Sequence, residues 1–457
     1  MKFLKNKSLW ALLIGGALLS ATACKKKDDD NDTPDTTPPS SDVIVLQGTI
    51  THDTTLTSDK KWLLQGFVYI DNGATITIQP GTVVKGDKDS KGTLIIMRGA
   101  KIHAVGTSSS PIVFTSNKAA GSRDYGDWGG VILCGRANNN QPGGEAIIEG
   151  GPTAMYGGAG SPNDADNSGD MEYVRIEFAG IAFQPNQEIN GLTFGAVGSG
   201  TVIDHIQVSY SGDDSYEWFG GAVNVKHLVA FRGWDDDFDT DNGFRGKGQF
   251  CLGMRDHNVA DQSGSNGFES DNDATGSTAS PYTMPIFCNM TVFGPGAESN
   301  ETANPLFQHA AHIRRNSRCN ILNSVEVGWP IGIYIDGSLC GDNATQDLLQ
   351  VRNTIIANCA DPLDVSSGST FDVASWFNTS GYGNSVVSDM STLGLNLPVT
   401  LTNPTLLPNS GSPLLSGADF SGNASDPFFQ PVSYRGAFGS DNWTNGWCNW
   451  DPQNTAY

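Results

Sequence analysis

The segment Trp234-Asp-Asp-Asp-Phe-Asp-Thr-Asp-Asn-Gly-Phe-Arg245 sets five aspartates around one phenylalanine. Carboxylates at that density can hold a hard cation through oxygen ligands, or act as acid and base around a glycosidic bond. The pattern recurs. Displacing His205–Gly221 by 22 residues lays it over His227–Gly243, with Asp213 on Asp235, Asp214 on Asp236, Tyr216 on Phe238 and Glu217 on Asp239. Gly267-Phe-Glu-Ser-Asp-Asn272 matches Asp237-Phe-Asp-Thr-Asp-Asn242 at an offset of 30, and Ile313-Arg-Arg-Asn316 and Ile333-Tyr-Ile-Asp336 take the same place after further apolar runs. A constant core at a variable offset is what stacked coils with inserted loops produce.

Side chains alternate along a strand, so with Phe238 inward Asp237, Asp239 and Asp241 point outward together, as do Glu217, Glu269 and Asp271. Stacking gives one expected outward column of Glu217, Asp239, Glu269, Arg314 and Tyr334, and a second of Phe219, Asp241, Asp271, Asn316 and Asp336. Coils stand about 4.8 Å apart. Adjacent carboxylates then repel by roughly 3 kcal/mol at an effective dielectric of about 20, and by about 1 kcal/mol in open water. A calcium ion between them fits, because oxygens about 4.8 Å apart both lie about 2.4 Å from one ion, too long for magnesium. The expected metal ligands are therefore Glu217, Asp235, Asp237, Asp239, Asp241, Glu269 and Asp271. Arg314, with Arg315 nearby, is the other available compensation. A merely solvated acidic face competes with this reading. An EF-hand loop does not: the glycine comes one place late and Gly248 stands where the bidentate glutamate belongs. Trp218 and Trp234 flank the columns and are candidates to contact a saccharide, against packing at a corner of the coil.

Such columns require many short strands. The 457 residues include 55 Gly and 22 Pro and only 17% charged residues, and runs such as Ala74–Ile78, Tyr173–Phe178 and His205–Tyr210 alternate before a Gly, Pro, Asn or Asp. The expected fold is all-β, a right-handed parallel β-helix solenoid over 42–457 with inserted loops; a β-sandwich or propeller explains the aromatic column less well. Residues 360–457 read as irregular decorations followed by an aromatic cap of Tyr434, Phe438, Trp443, Trp447 and Trp450 over the open end.

Lys2, Lys5 and Lys7, an apolar run from Leu9 to Leu19, and Ser20-Ala-Thr-Ala-Cys24 form a secretion signal with a small-residue cleavage site over 1–23. Residues 24–41, rich in Asp, Thr and Pro, read as a disordered tether. Removing 1–23 takes away three lysines and no acid, moving the formal charge from -22 to -25. A chain this acidic is expected to repel nucleic acid and to accept cations or neutral partners. Seven cysteines remain beyond Cys24, with Cys340 and Cys359 the best candidates for a disulfide. His309 and His312, three apart beside strand residues, are expected on opposite faces and structural in role.

The leader resembles a bacterial lipoprotein signal, which implies a lipid on Cys24 and attachment to the outer membrane. Lys25-Lys-Lys-Asp-Asp-Asp30 directly after it resembles the surface-export signal of Bacteroidota lipoproteins, which implies a body facing the cell exterior. Trp234–Phe244, Ser263-Gly-Ser-Asn-Gly-Phe-Glu-Ser-Asp-Asn-Asp273, Arg314-Arg-Asn-Ser317 and Tyr434-Arg-Gly-Ala-Phe-Gly439 resemble a family of Bacteroidota surface lipoproteins with β-helix bodies and no established activity. In fold and acidic ladder the chain also resembles pectate lyases. That likeness implies a calcium-dependent polysaccharide lyase on uronic polymers, with Arg314 or Arg315 as base and Lys247 and Lys226 in reserve. Hydrolysis by Asp213-Asp214 and Asp235-Asp236 ranks lower, because the Gly-His-Gly and Arg-Ile-Lys segments of polygalacturonases are absent. The leading expectation is a surface lipoprotein that binds calcium and a glycan or other extracellular polymer. The lyase and a purely structural or adhesive protein are the alternatives.

Overall fold

Successive coils of the chain each lay down short strands that pair in parallel with the coils before and after, giving one sheet of 28 strands. The computed structural model describes residues 43–457 except Pro185 and Asn186. The leader, Cys24 and the tether lie outside the described residues. The fold is all-β, a right-handed parallel β-helix with three walls.

One wall carries the acidic runs. It stacks Thr93–Ile96, Val131–Cys134, Leu192–Val197, Tyr216–Gly221, Phe238–Asp241, Phe268–Ser270, His309–Ile313, Ile331–Ile335 and Asp361–Val365. The other two walls meet at a bend made by single left-handed residues, Tyr173 (φ 52), His205 (φ 53), His227 (φ 50), Phe250 (φ 58), Asn289 (φ 55), Asn323 (φ 52) and Asn353 (φ 52). Asparagine tolerates that conformation through its short polar side chain, whereas Tyr, His and Phe pay steric strain. Stacking offsets the strain here: rings follow one another at 4.4 Å from Tyr173 to His205, 4.3 Å to His227 and 5.5 Å to Phe250. Nδ1 of both histidines lies on Asp204 Oδ1, at 2.9 and 2.7 Å.

Inside the solenoid, aromatic side chains stack coil upon coil. Tyr216 lies on Phe238 at 5.7 Å, Phe238 on Phe268 at 5.3 Å and Phe194 on Trp218 at 5.3 Å. Trp218 is fully buried. It shares the pleat parity of Tyr216, so it points into the core and is withdrawn as a saccharide contact.

The register corrects the expected columns. Tyr216, Phe238 and Phe268 do stack, but the next partner is Ala311 rather than Ile313, so Glu269 faces His312 and not Arg314. The outward column runs Glu217, Asp239, Glu269, His312, Tyr334, Asp364. A slip of two residues keeps every side chain on its face, so the alternation pattern could not reveal it.

The C-terminal aromatics close a flank rather than an end. Phe438 and Trp447 pack with Leu393, Val399, Leu406 and Leu414 against the outer faces of Val229, Phe231, Leu252, Met254 and Phe293. The strap runs back along the solenoid, Ala437 N–H donating to Thr291 Oγ1 (2.8 Å), Asn449 N–H to Gln207 Oε1 (2.8 Å) and Tyr457 Oη to Glu177 (2.6 Å). Apolar residues on both faces of those strands explain it, since the outer face also has to leave water. Val373, Trp376 and Phe377 join the main core beyond the last coil.

Cys340 and Cys359 are both free thiols, as are the other five described cysteines. Nearly a full coil of chain separates them. His309 and His312 share a side, their ring centroids 4.5 Å apart, because Asn266 Oδ1 draws the His309 ring out of the pleat at the strand's start (2.8 Å).

Candidate functional site

The acidic wall opens into a cleft of about 980 Å³ lined by ten carboxylates: Glu149, Glu188, Asp213, Asp214, Glu217, Asp235, Asp236, Asp239, Asp261 and Glu269. Only Lys88 and Arg314 among the lining residues are basic, and Tyr125 and Trp234 stand at the margin.

Three structural devices place these acids. Strand alternation points Glu217, Asp239 and Glu269 outward in register. The turns before Tyr216–Gly221 and Phe238–Asp241 each supply an aspartate pair, and one member braces the next coil: Asp214 Oδ1 accepts from Asp236 N–H (2.8 Å), and Asp236 Oδ1 from Asn266 N–H (2.5 Å). The two connections on either side of Gly169–Glu177 bring Glu149 and Glu188 across. Glu217 accepts a hydrogen bond from Asn190, and Glu149 lies close enough to bond it as well. Ser263 Oγ ties Asp235 (2.7 Å) to Asp261 (2.6 Å).

Oxygens of these acids lie within 4.8 Å of one another in three overlapping trios: Asp213, Asp214 and Asp235; Asp214, Glu217 and Asp239; Asp236, Asp239 and Glu269. Asp235 Oδ1 and Asp239 Oδ1 are buried and accept no hydrogen bond among the described residues. Burial, then the neighbouring charges, raises the pKa of the group. Asp235 is pushed up to about 7, Asp261 adding to the burial and the Ser263 bond opposing it. Asp214, Glu217, Asp236 and Asp239 stand well above the ordinary carboxylate range. The wall stores repulsion that either protons or a cation relieves. An all-oxygen donor set with unpartnered, buried carboxylate oxygens fits a hard divalent cation of calcium's type.

Of the expected ligands, Glu217, Asp235, Asp239 and Glu269 come together. Asp237, Asp241 and Asp271 do not join the trios. Asp237 precedes its strand, so alternation does not govern it, and it turns inward to a fully buried ion pair with Arg255 (2.8 Å). Burial raises it to about 6, with Arg255 opposing. Asp241 bonds the backbone N–H of Asn242 (2.5 Å) at the strand's end. Asp271 is held by Arg314 (2.8 Å) and Arg315 (2.7 Å). Asp213, Asp214 and Asp236 complete the trios and were not in the expected set. Their signal was the 22-residue repeat that laid Asp213 and Asp214 on Asp235 and Asp236. Glu149 and Glu188 carry no comparable signal.

Arg314 also pairs with Glu269. Burial pulls its pKa down, but Glu269 and Asp271 outweigh that and raise it well above the ordinary value, which leaves it a poor proton acceptor. Lys88 pairs with Asp127 (3.1 Å) and Lys247 with Asp426 (2.9 Å), and Lys226 lies over the Phe428 ring. Trp234 is 39% exposed at the rim. Its Nε1–H donates to Ala260 O (3.2 Å) and its ring meets the Tyr125 ring edge to face at 5.4 Å.

A family model described as a pectate-lyase-like β-helix domain matches residues 48–394. Among solved structures, a crystal structure of the pectate lyase Pel9A is similar at 12% identity, covering 87% of this chain and 88% of that one with a TM-score of 0.32. No curated protein matches.

Proposed function

The chain belongs to the pectate-lyase-like β-helix domain family, and on that premise we propose that it is a surface lipoprotein whose acidic cleft binds calcium and, beside it, a glycan or other extracellular polymer. The observation that carries the reading is the set of overlapping carboxylate trios in one cleft, with buried oxygens that no group among the described residues satisfies. Asp213, Asp214, Glu217, Asp235, Asp236, Asp239 and Glu269 would hold the cation, and Trp234 would offer its exposed ring to a sugar. Bound calcium would neutralise the wall and orient hydroxyl or carboxylate oxygens of a ligand. The surface address rests on the leader, Cys24 and Lys25–Asp30 in the sequence, and acylation of Cys24 would tether the body to the outer membrane.

Elimination from a uronic polymer is the second reading. The family favours it, but the basic groups lining the cleft, Lys88 and Arg314, are both held in ion pairs. A role as general base would require Arg314 to release two carboxylates and then lose a proton it holds more firmly than usual.

The test is the thermal midpoint of the purified full-length protein against calcium after chelation, beside an Asp214→Asn, Asp239→Asn double variant. Binding to the native state alone adds about 2.7 kcal/mol at one hundred times Kd, a rise of a few degrees for a chain of this size. A rise in the parent that the variant lacks is expected. No rise at millimolar calcium would reduce the wall to a braced acidic face of a structural or adhesive protein.

A further inference from the structure

We infer that the polymer taken by this cleft is a neutral, hydroxyl-rich glycan and not a uronic or otherwise anionic one; the inference rests on the cation-binding reading above and narrows its ligand. Ten carboxylates face two basic groups across the lining. Both basic groups are already engaged, Lys88 with Asp127 and Arg314 with Glu269 and Asp271. One divalent ion in each of the three carboxylate trios would supply six positive charges and still leave the lining negative. That remaining negative charge along the cleft repels a chain bearing a carboxylate on every sugar.

Uncharged hydroxyls avoid this repulsion. A pair of hydroxyl oxygens can complete the shell of a calcium ion, which takes six to eight oxygens. The second observation is Trp234. The residue is 39% exposed at the rim, its indole N–H is already bonded to Ala260 O (3.2 Å), and its ring continues into an aromatic run, with centroids 5.4 Å from Trp234 to Tyr125 and 5.3 Å from Tyr125 to Tyr210. A ring presented this way offers an apolar face to a sugar's C–H face and no cation to an anion. At about 980 Å³ the cleft is at the upper end of the range for ligand sites.

Affinity electrophoresis of the full-length protein in gels holding a soluble galactomannan, a polygalacturonate or a chitosan oligomer, each with calcium and with chelator, tests this. The expected result is calcium-dependent retardation by galactomannan at least tenfold stronger than by polygalacturonate. Trp234→Ala should lose the retardation, Trp234→Phe should largely restore it, and both should keep the calcium-dependent rise in midpoint. Preference for polygalacturonate or chitosan overturns the inference, as does retardation by none of the three, or retention of galactomannan by Trp234→Ala. A missing midpoint rise sinks the cation reading itself, so the two failures are distinguishable.

Discussion

Glu326 gives the most direct test of how this solenoid handles charge. It lies in Val325–Val327, between Val292 and Ile356 on the neighbouring coils, and its side chain is fully buried. Neither carboxyl oxygen has a partner among the described residues, and burial alone lifts its pKa from 4.5 to about 8. The folded protein therefore keeps Glu326 protonated while the unfolded chain ionises it above about pH 4.5. Stability contributed by this group is fully present below pH 4.5, falls as pH rises, and is lost once pH passes about 8. The gap amounts to about 5 kcal/mol at 1.36 kcal/mol per pH unit. With an unfolding entropy of about 2 cal/mol/K per residue over roughly 415 residues, that is a shift of about 6 °C. Glu326→Gln keeps the shape and removes the titration. Calorimetric midpoints of parent and variant from pH 4 to 9.5 should diverge through this window, the variant gaining about 6 °C relative to the parent before levelling off. Titration of the acidic cleft is common to both proteins and cancels in the difference. A difference independent of pH, or one that levels off near pH 5, would refute the account and mean that Glu326 is solvated or paired.

Other outcomes follow from the same structure. Asp237→Ala or Arg255→Ala alone should lose about 3–5 kcal/mol, because each strands a buried charge, whereas Asp237→Leu with Arg255→Met should recover most of it in denaturant melts. Calcium affinity should climb steeply as pH rises through about 7, where Asp235 deprotonates, with release of protons per ion bound measurable by titration calorimetry in buffers of different ionisation enthalpy. Trp218→Ala should cost about 3–5 kcal/mol by opening a cavity in the aromatic stack while leaving the calcium-induced shift in place; Trp234→Ala should keep that shift as well but cost little stability and lose the glycan retardation. Trp447→Ala, also buried but on the flank, should loosen the strap and raise hydrogen exchange in Leu252–Met254 and Thr291–Phe293 before the interior wall responds.

Repeat, alternation and turn residues made the coil legible. Tyr216, Phe238 and Phe268 recur at offsets that only stacking explains, and each is followed by an outward acid, so four of the seven expected ligands fell in the cleft. Extrapolation failed where the strand stopped. Asp237 and Phe238 are neighbours in sequence, yet Asp237 belongs to the turn, where backbone direction rather than pleat parity aims the side chain. Trp218 failed for the opposite reason: parity did apply, and it pointed inward.

What the sequence by itself determined is therefore the coil, its inward aromatic column and the concentration of acids on one wall, because each follows from neighbours a few residues apart. Tertiary structure decided the rest. Glu269 faces His312 because strand pairing tolerates a two-residue slip that leaves every face unchanged. Glu149 and Glu188 reach the cleft because two separate connections, before and after Gly169–Glu177, fold toward it. The C-terminal tryptophans lie along the flank because the outer faces of those strands are themselves apolar and have to leave water.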